Sequence, residues 1–217
     1  CALPIYTMKT LLKIIASGLL VISISSAKAE VQFGLGLIGG QTSISGSETE
    51  GSGAAAESHS KSELKEIFGG GDIFVEHVSD SGLTFGVSYV PLNIELGSGE
   101  RTDSVHTASD AAENDTGTRK ASAELSNLYT VYSNVPLADN GLYALLGAHF
   151  TTVETAETLP NSSYGDEDIY GYQLGLGVRS GKIKYEFSYS DFEEISINSS
   201  GGGTNKVTAD ADAISFR

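Results

Sequence analysis

The stretch from Tyr170 to Tyr189, YGYQLGLGVRSGKIKYEFSY, alternates with a period of two along nearly its whole length. Tyr170, Tyr172, Leu174, Leu176 and Val178 share one parity, and Gly171, Gln173, Gly175, Gly177 and Arg179 share the other. After the break at Ser180–Lys182 the alternation restarts. Ile183, Tyr185, Phe187 and Tyr189 stand against Lys184, Glu186, Ser188 and Ser190. Side chains of a strand point alternately to opposite faces, so this pattern predicts two half-buried strands joined by a tight turn. The open question is what the apolar face touches.

The same period recurs through the chain, and no segment after residue 29 shows a 3.6-residue apolar repeat. Strands are predicted at about Val31–Ile44, Ile67–Val78, Leu83–Leu96, Ser122–Asn134, Leu142–Thr155 and Val207–Phe216, in addition to the two above. Pro91 cannot donate to a ladder, so it marks a bulge or parity shift in the third strand. In the fourth, Leu125, Tyr129 and Val131 share a parity while Leu128 and Tyr132 compete with it. The connections alternate in length. Residues 46–66, 97–121, 157–168 and 194–206 form long polar connections, whereas 79–82, 134–141 and 180–182 form short ones. In an up-and-down meander this places every tight turn at one end and every long loop at the other. Outer-membrane barrels show that asymmetry. An even number of strands puts both chain ends on the short-turn side.

Alternation alone does not separate a soluble barrel, apolar inside, from a membrane barrel, apolar outside. Three features favour the second. Glycine recurs on the polar face at Gly34, Gly36, Gly86, Gly171, Gly175 and Gly177, and the narrow lumen of an eight-stranded barrel gives it a steric reason. The polar face carries both signs of charge, which suits a paired interior network. The tyrosines Tyr170, Tyr172, Tyr185 and Tyr189 suit an interfacial girdle. The expected fold is therefore all-β, an eight-stranded antiparallel up-and-down transmembrane β-barrel. Asp72, Glu76, Gln173, Arg179, Lys184 and Glu186 are the interior candidates. Phe33, Leu35, Phe85, Val87, Tyr89, Leu146, Tyr172, Leu174, Leu176, Tyr185 and Phe187 are the lipid-facing candidates.

The N-terminal region reads as an export signal. Met8 opens a segment with Lys9 and Lys13, an apolar run from Ile14 to Ile24 and the small-x-small site Ala27-Lys28-Ala29. That run is too short to span a bilayer as a helix. Residues 8–29 are expected to be a signal peptide, residues 1–7 upstream read-through, and residues 30–217 one barrel domain. Cys1 is the only cysteine, so the domain has no disulfide framework and no thiol catalyst. The formal charge of −15 argues against nucleic acid as a partner, because phosphate binding needs a basic patch.

The chain resembles the small eight-stranded outer-membrane barrels of the OmpA/OmpX type. The likeness rests on strand count, loop asymmetry and segments such as SDSGLTFGVSYVP and NGLYALLGAHF. It implies outer-membrane localisation in a Gram-negative-type bacterium after Sec-type export. The partners it implies are membrane lipids, lipopolysaccharide and the barrel-assembly machinery, with an unidentified extracellular partner for the loops. Such proteins usually end on Phe, whereas here Phe216 is penultimate and the last strand is short, so a truncated last strand is expected.

Site chemistry is sparse. His59, His77, His106 and His149 form no metal-ligand spacing, and no GxSxG occurs. Asp110, Glu113 and Asp115, like Asp166, Glu167 and Asp168, are acidic loop clusters without EF-hand spacing. The glycines at 201–203 read as a flexible loop tip, since no helix follows them. No catalytic residue, metal or cofactor is expected. The leading expectation is a structural anchor presenting four polar acidic loops. A narrow pore for small solutes and a soluble periplasmic, lipocalin-like ligand carrier stand as alternatives.

Overall fold

The computed structural model describes residues 30–50, 57–60, 63–103, 117–158, 162–201 and 206–217. The segments at 1–29, 104–116 and 202–205, among others, lie outside them. They contain the signal-peptide expectation, His106, Asp110, Glu113, Asp115 and most of the glycine run at 201–203.

Among the described residues, ten strands of one eleven-stranded antiparallel sheet form a wall that closes on itself. They are β1 (Glu30–Glu50), β3 (Leu64–Val78), β4 (Thr84–Val90), β5 (Ile94–Asp103), β6 (Gly117–Pro136), β7 (Leu142–Glu157), β9 (Glu167–Ser180), β10 (Ile183–Phe192), β11 (Ile195–Asn198) and β13 (Lys206–Phe216). β5 continues β4, and β11 continues β10, so the wall has eight staves. Each stave pairs with its sequence neighbours, and β13 returns to pair with β1 from Gly39↔Phe216 to Thr49↔Lys206. That last ladder closes the ring. A short strand β2 (Glu57–Ser60) folds back on the end of β1, and β8 (Ser162–Ser163) pairs with β12 (Ser200–Gly201) in a small separate sheet.

Local chemistry sets the breaks. At the first short turn, Gly82 has φ 80° and donates to the Ser79 carbonyl at 2.9 Å. At the second, Gly141 has φ 87°, and a Cβ there would meet the Arg179 backbone. Pro91 lies between β4 and β5, where the ladder is interrupted. The expected loops are shorter than the sequence suggests. β1 runs to Glu50, β5 to Asp103 and β7 to Glu157, so strands extend into the stretches 46–66, 97–121 and 157–168. These stretches are rich in Ser, Thr and Gly, which weakens the strand signal, but each has a neighbour whose backbone it can pair with. β13 ends at Phe216, opposite Gly39 near the middle of β1 and Phe187 on β10.

The polarity of the wall inverts halfway up. In the turn-side half the outer face is apolar. Phe33, Leu35 and Leu37 are 82%, 82% and 84% exposed, while the inner face is polar. In the loop-side half the inner face is apolar, with Val90, Ile94, Leu96, Leu125, Leu128, Val153, Ile169, Phe192, Ile195 and Ala211 in one buried cluster. Outside them stand Ser43, Ser45, Asp168, Asp191, Asp210 and Asp212. The interior is thus not polar throughout, which corrects the sequence expectation. On β7, β9 and β13 the parity holds and the inward row changes composition, whereas on β6 the parity itself changes. Along β6 the ladder with β7 slips between Ser126 and Tyr129, and Asn127 sits in the slip with φ 53°. The bulge lets Leu125 and Leu128 both point inward while Tyr129 points out, which explains the competing parities of that strand.

Asn tolerates the left-handed conformation far better than a β-branched residue. Asn127→Val should lower the unfolding free energy by about 1–3 kcal/mol, and Asn127→Gly should cost much less. Urea unfolding of the two variants in the same lipid or detergent checks this. Equal midpoints would mean that the bulge is not a fixed feature.

Candidate functional site

The turn-side interior is built around two carboxylates. Glu76 on β3 and Glu186 on β10 are each 2% exposed. Glu76 accepts from Arg179 Nη2 at 2.6 Å, Lys184 Nζ at 2.8 Å and Tyr132 Oη at 2.9 Å. Glu186 accepts from Tyr143 Oη at 2.7 Å and Arg217 Nη1 at 3.0 Å. Lys184 Nζ also lies 3.8 Å from Glu186. Arg217 Nη2 stands 2.9 Å from Asp72 Oδ2, a close ion pair off the hydrogen-bond direction. Arg179 Nη1 donates to Gln32 at 3.0 Å. Asp72, Glu76 and Glu186 thus face Arg179, Lys184 and Arg217, and the charges balance. Balance is required, because an unpaired buried charge is costly.

Aromatic rings fill the space between these charges. Lys184 Nζ lies 4.2 Å from the Phe74 ring centroid, and the Arg217 guanidinium carbon lies 4.6 Å from it. Each ring has a glycine directly across the ladder: Phe74 opposite Gly34, Tyr132 opposite Gly86, and Tyr143 opposite Gly177. A Cβ at any of the three would collide with the ring it faces. Gly34, Gly86 and Gly177 are therefore the seats of inward-pointing rings, which with the charged side chains fill this layer of the lumen.

Above this layer lies a neutral polar one. His149 is 4% exposed, with Nδ1 2.8 Å from Thr130 Oγ1 and Nε2 2.9 Å from Ser190 Oγ. Its ring stacks on Phe192 at 5.4 Å. Gln173 donates to Ser188 at 2.8 Å, and Ser188 reaches Ser215 at 2.8 Å. The void between the two layers is about 40 Å³. The apolar cluster caps the column on the loop side.

All six interior candidates face the lumen. Asp72, Glu76, Arg179, Lys184 and Glu186 belong to the ionic layer, and Gln173 to the neutral one. Phe33, Leu35, Leu146, Tyr172, Leu174, Leu176, Tyr185 and Phe187 are exposed on the outer face. Phe85, Val87 and Tyr89 take the same outward parity on β4 and are half-buried, with Tyr89 stacked on Tyr129 at 4.6 Å. Arg217, Gln32, Phe74, Tyr132 and Tyr143 join the layer without being among the interior candidates, although parity puts Gln32 on the face of Gly34 and Gly36 and Phe74 on the face of Asp72 and Glu76.

Ladder registers draw a boundary around the outer wall. Ser43, Asp212 and Asp191 are successive partners, and the next row toward the turns is Gln41, Ile214, Tyr189 and Leu174. Tyr129, Tyr170, Tyr172 and Tyr189 are exposed near this line. Among the described residues no helix is long and apolar enough to cross a membrane, and no group of three or more His, Cys, Asp or Glu side chains is placed to hold a metal ion.

No protein-family model and no curated protein matches the chain. Among solved structures, neisserial surface protein A aligns at 10% identity with a TM-score of 0.34, covering 84% of this chain and 97% of that one. Ail, the attachment invasion locus protein of Yersinia pestis, solved with the heparin analogue sucrose octasulfate, aligns at 11% identity with a TM-score of 0.33. That alignment covers 83% of this chain and 97% of Ail.

Removing Glu76 would take the carboxylate from Arg179 and leave Lys184 only its 3.8 Å contact with Glu186. Glu76→Ala should therefore cost about 3–5 kcal/mol of stability. Glu100→Ala, which removes an exposed partner of Lys120, should cost less than about 1 kcal/mol. Chemical unfolding of both variants compares them, and similar midpoints would refute the ionic layer. For the ring seats, Gly86→Leu should destabilise on its own and lose most of that penalty in combination with Tyr132→Ala. Additive effects in a double-mutant cycle would show that ring and glycine do not share one space.

Proposed function

We propose that this protein is an integral outer-membrane barrel that anchors a rigid, water-exposed crown of strands and acidic loops for contacts at the cell surface. The observation that carries the reading is the inversion of polarity along the wall. A soluble ligand-carrying barrel gains nothing from Phe33, Leu35, Leu37, Leu174 and Phe187 on its outside. A bilayer rewards them. On β9 the apolar row runs from Tyr170 to Val178, and on β7 from Leu142 to Phe150. Each row is close to the 9–11 residues, about 45° tilted, with which a strand crosses a bilayer. β13 pairs with both β1 and β10, which closes the sheet into a ring.

The tyrosines near the boundary fit the headgroup region. Above it the wall becomes a water-facing barrel with its own apolar core. The tight turns then face the periplasm and the long connections the exterior. Lipids and lipopolysaccharide surround the lower half, the barrel-assembly machinery inserts it after Sec-type export, and an extracellular partner meets the crown. Asp166, Glu193 and Glu194 add negative charge there, which favours a cationic or cation-bridged partner. The filled lumen argues for an anchor over a solute pore.

Flotation with vesicles and heat-modifiable migration on a gel test the membrane reading, and a mature protein that stays monomeric in detergent-free buffer would overturn it. In planar bilayers the protein should give no single-channel steps; regular conductance steps would restore the pore. A charge placed midway down the wall, as in Leu35→Arg, should cost about 2–4 kcal/mol of stability in vesicles. Ser45→Arg, on the crown, should be nearly neutral.

A further inference from the structure

The turn between β6 and β7 holds a reactive pair. Asn140 is the one asparagine of the chain that is followed by glycine; every other precedes a residue with a Cβ. Its side chain is exposed, and its Oδ1 accepts a hydrogen bond from the Leu142 N–H at 3.1 Å. The turn is fastened in two ways. The Leu137 and Ala138 N–H groups donate to the Leu142 carbonyl at 2.9 and 3.4 Å, and the Arg179 N–H donates to the Gly141 carbonyl at 2.9 Å. Only glycine fits at 141, because φ is 87° and a Cβ would collide with the Arg179 backbone. The packing against Arg179 that demands glycine therefore also leaves the Gly141 nitrogen without a side chain to shield it.

We propose that Asn140 is a site of covalent modification in the folded protein: it deamidates through a cyclic imide with Gly141, and the isoaspartate that results unfastens the turn from Arg179 and so loosens the ionic layer. The Gly141 nitrogen gives up its proton and attacks Asn140 Cγ. The new N–C bond closes a ring, and the bond from Cγ to Nδ2 breaks, releasing ammonia. Water then opens the ring on either side of its nitrogen. Opening at Cγ gives aspartate. Opening at the Asn140 main-chain carbonyl gives isoaspartate, in which the chain runs on through Cβ and Cγ. The net change is amide plus water to carboxylate plus ammonium, with nothing oxidised or reduced. Neighbours in sequence need no encounter, and the Leu142 N–H donates to the oxygen on which negative charge builds during the attack. Aspartate keeps that hydrogen bond, since Asp and Asn side chains cap the backbone two residues on alike. Isoaspartate adds a main-chain carbon ahead of Gly141 and moves its carbonyl off the Arg179 N–H. The Arg179 side chain holds Glu76 at 2.6 Å, so the slack passes into the charged interior. None of this depends on whether the wall sits in lipid.

The test ages the refolded full chain at neutral and at alkaline pH and follows each asparagine by peptide mass, with isoaspartyl methyltransferase labelling to separate the two products. Asn93 is the internal comparison. It is exposed too, but Ile94 follows it and its Nδ2 donates to Glu124 at 2.8 Å. Asn140 should deamidate about ten-fold faster than Asn93, a barrier lower by about 1.4 kcal/mol, with the rate rising toward alkaline pH and both products present. A rate at Asn140 no higher than at Asn93 overturns the site. A parallel sample held unfolded in urea shows whether the fold permits the reaction, and Asn140 reacting only there overturns the site as well. The consequence is read separately. Aged protein carrying isoaspartate should unfold at a lower urea concentration than fresh protein, whereas Asn140→Asp, which carries the other product, should unfold close to the fresh one. Equal midpoints for isoaspartate-bearing and fresh protein overturn the link to Arg179 and the ionic layer.

Discussion

Everything in this molecule depends on closing a sheet of eight staves into a ring. Such a ring has a lumen wide enough for side chains and little else. Each large inward group therefore needs a small one across the ladder, and Gly34, Gly86 and Gly177 meet that need opposite Phe74, Tyr132 and Tyr143. The same confinement forces the buried charges into contact. Glu76 and Glu186 come from strands far apart in sequence, yet Lys184 lies near both. Side chains of the described residues thus fill most of the lumen, as a ring of eight staves leads one to expect.

Polarity then decides where the ring sits. One strand can be apolar-out at one end and apolar-in at the other only if its alternation shifts or its outward row changes composition. Both devices occur. β6 shifts parity through the bulge at Asn127. β13 keeps its parity and changes composition, from Asp210 and Asp212 outward near the loops to Ile214 and Phe216 lower down. The result is a column in three layers, an ionic layer, a neutral layer around His149 and an apolar cap. The lower wall matches hydrocarbon and the upper wall matches water.

Much of this was legible in the sequence. The period of two in Tyr170–Tyr189, the glycines on its polar face and the alternation of long and short connections lead to an eight-stave barrel without reference to any coordinate. The direction of Lys184 and Glu186 also follows from parity alone. What escaped has physical causes. The apolar upper core draws on residues such as Val153, Ile169 and Ile195, each a single apolar position in a polar neighbourhood, and only the closed ring gathers them. The extensions of β1, β5 and β7 are polar and weakly patterned, so their strand character comes from their neighbours. Arg217 joins Asp72 through a contact that crosses most of the chain length, a distance over which local pattern carries no information.

The central claim is that one wall carries two opposite polarities, with its lower half in lipid and its upper half in water. Spin labels placed singly at Leu35, Leu174 and Phe187, and at Ser45, Thr208 and Asp210, test it in vesicles through their collisions with oxygen and with a water-soluble nickel chelate. The account predicts strong oxygen and weak nickel accessibility at the first three sites and the reverse at the second three. The same accessibility at all six, or strong nickel collisions at Leu35, Leu174 and Phe187, would contradict it.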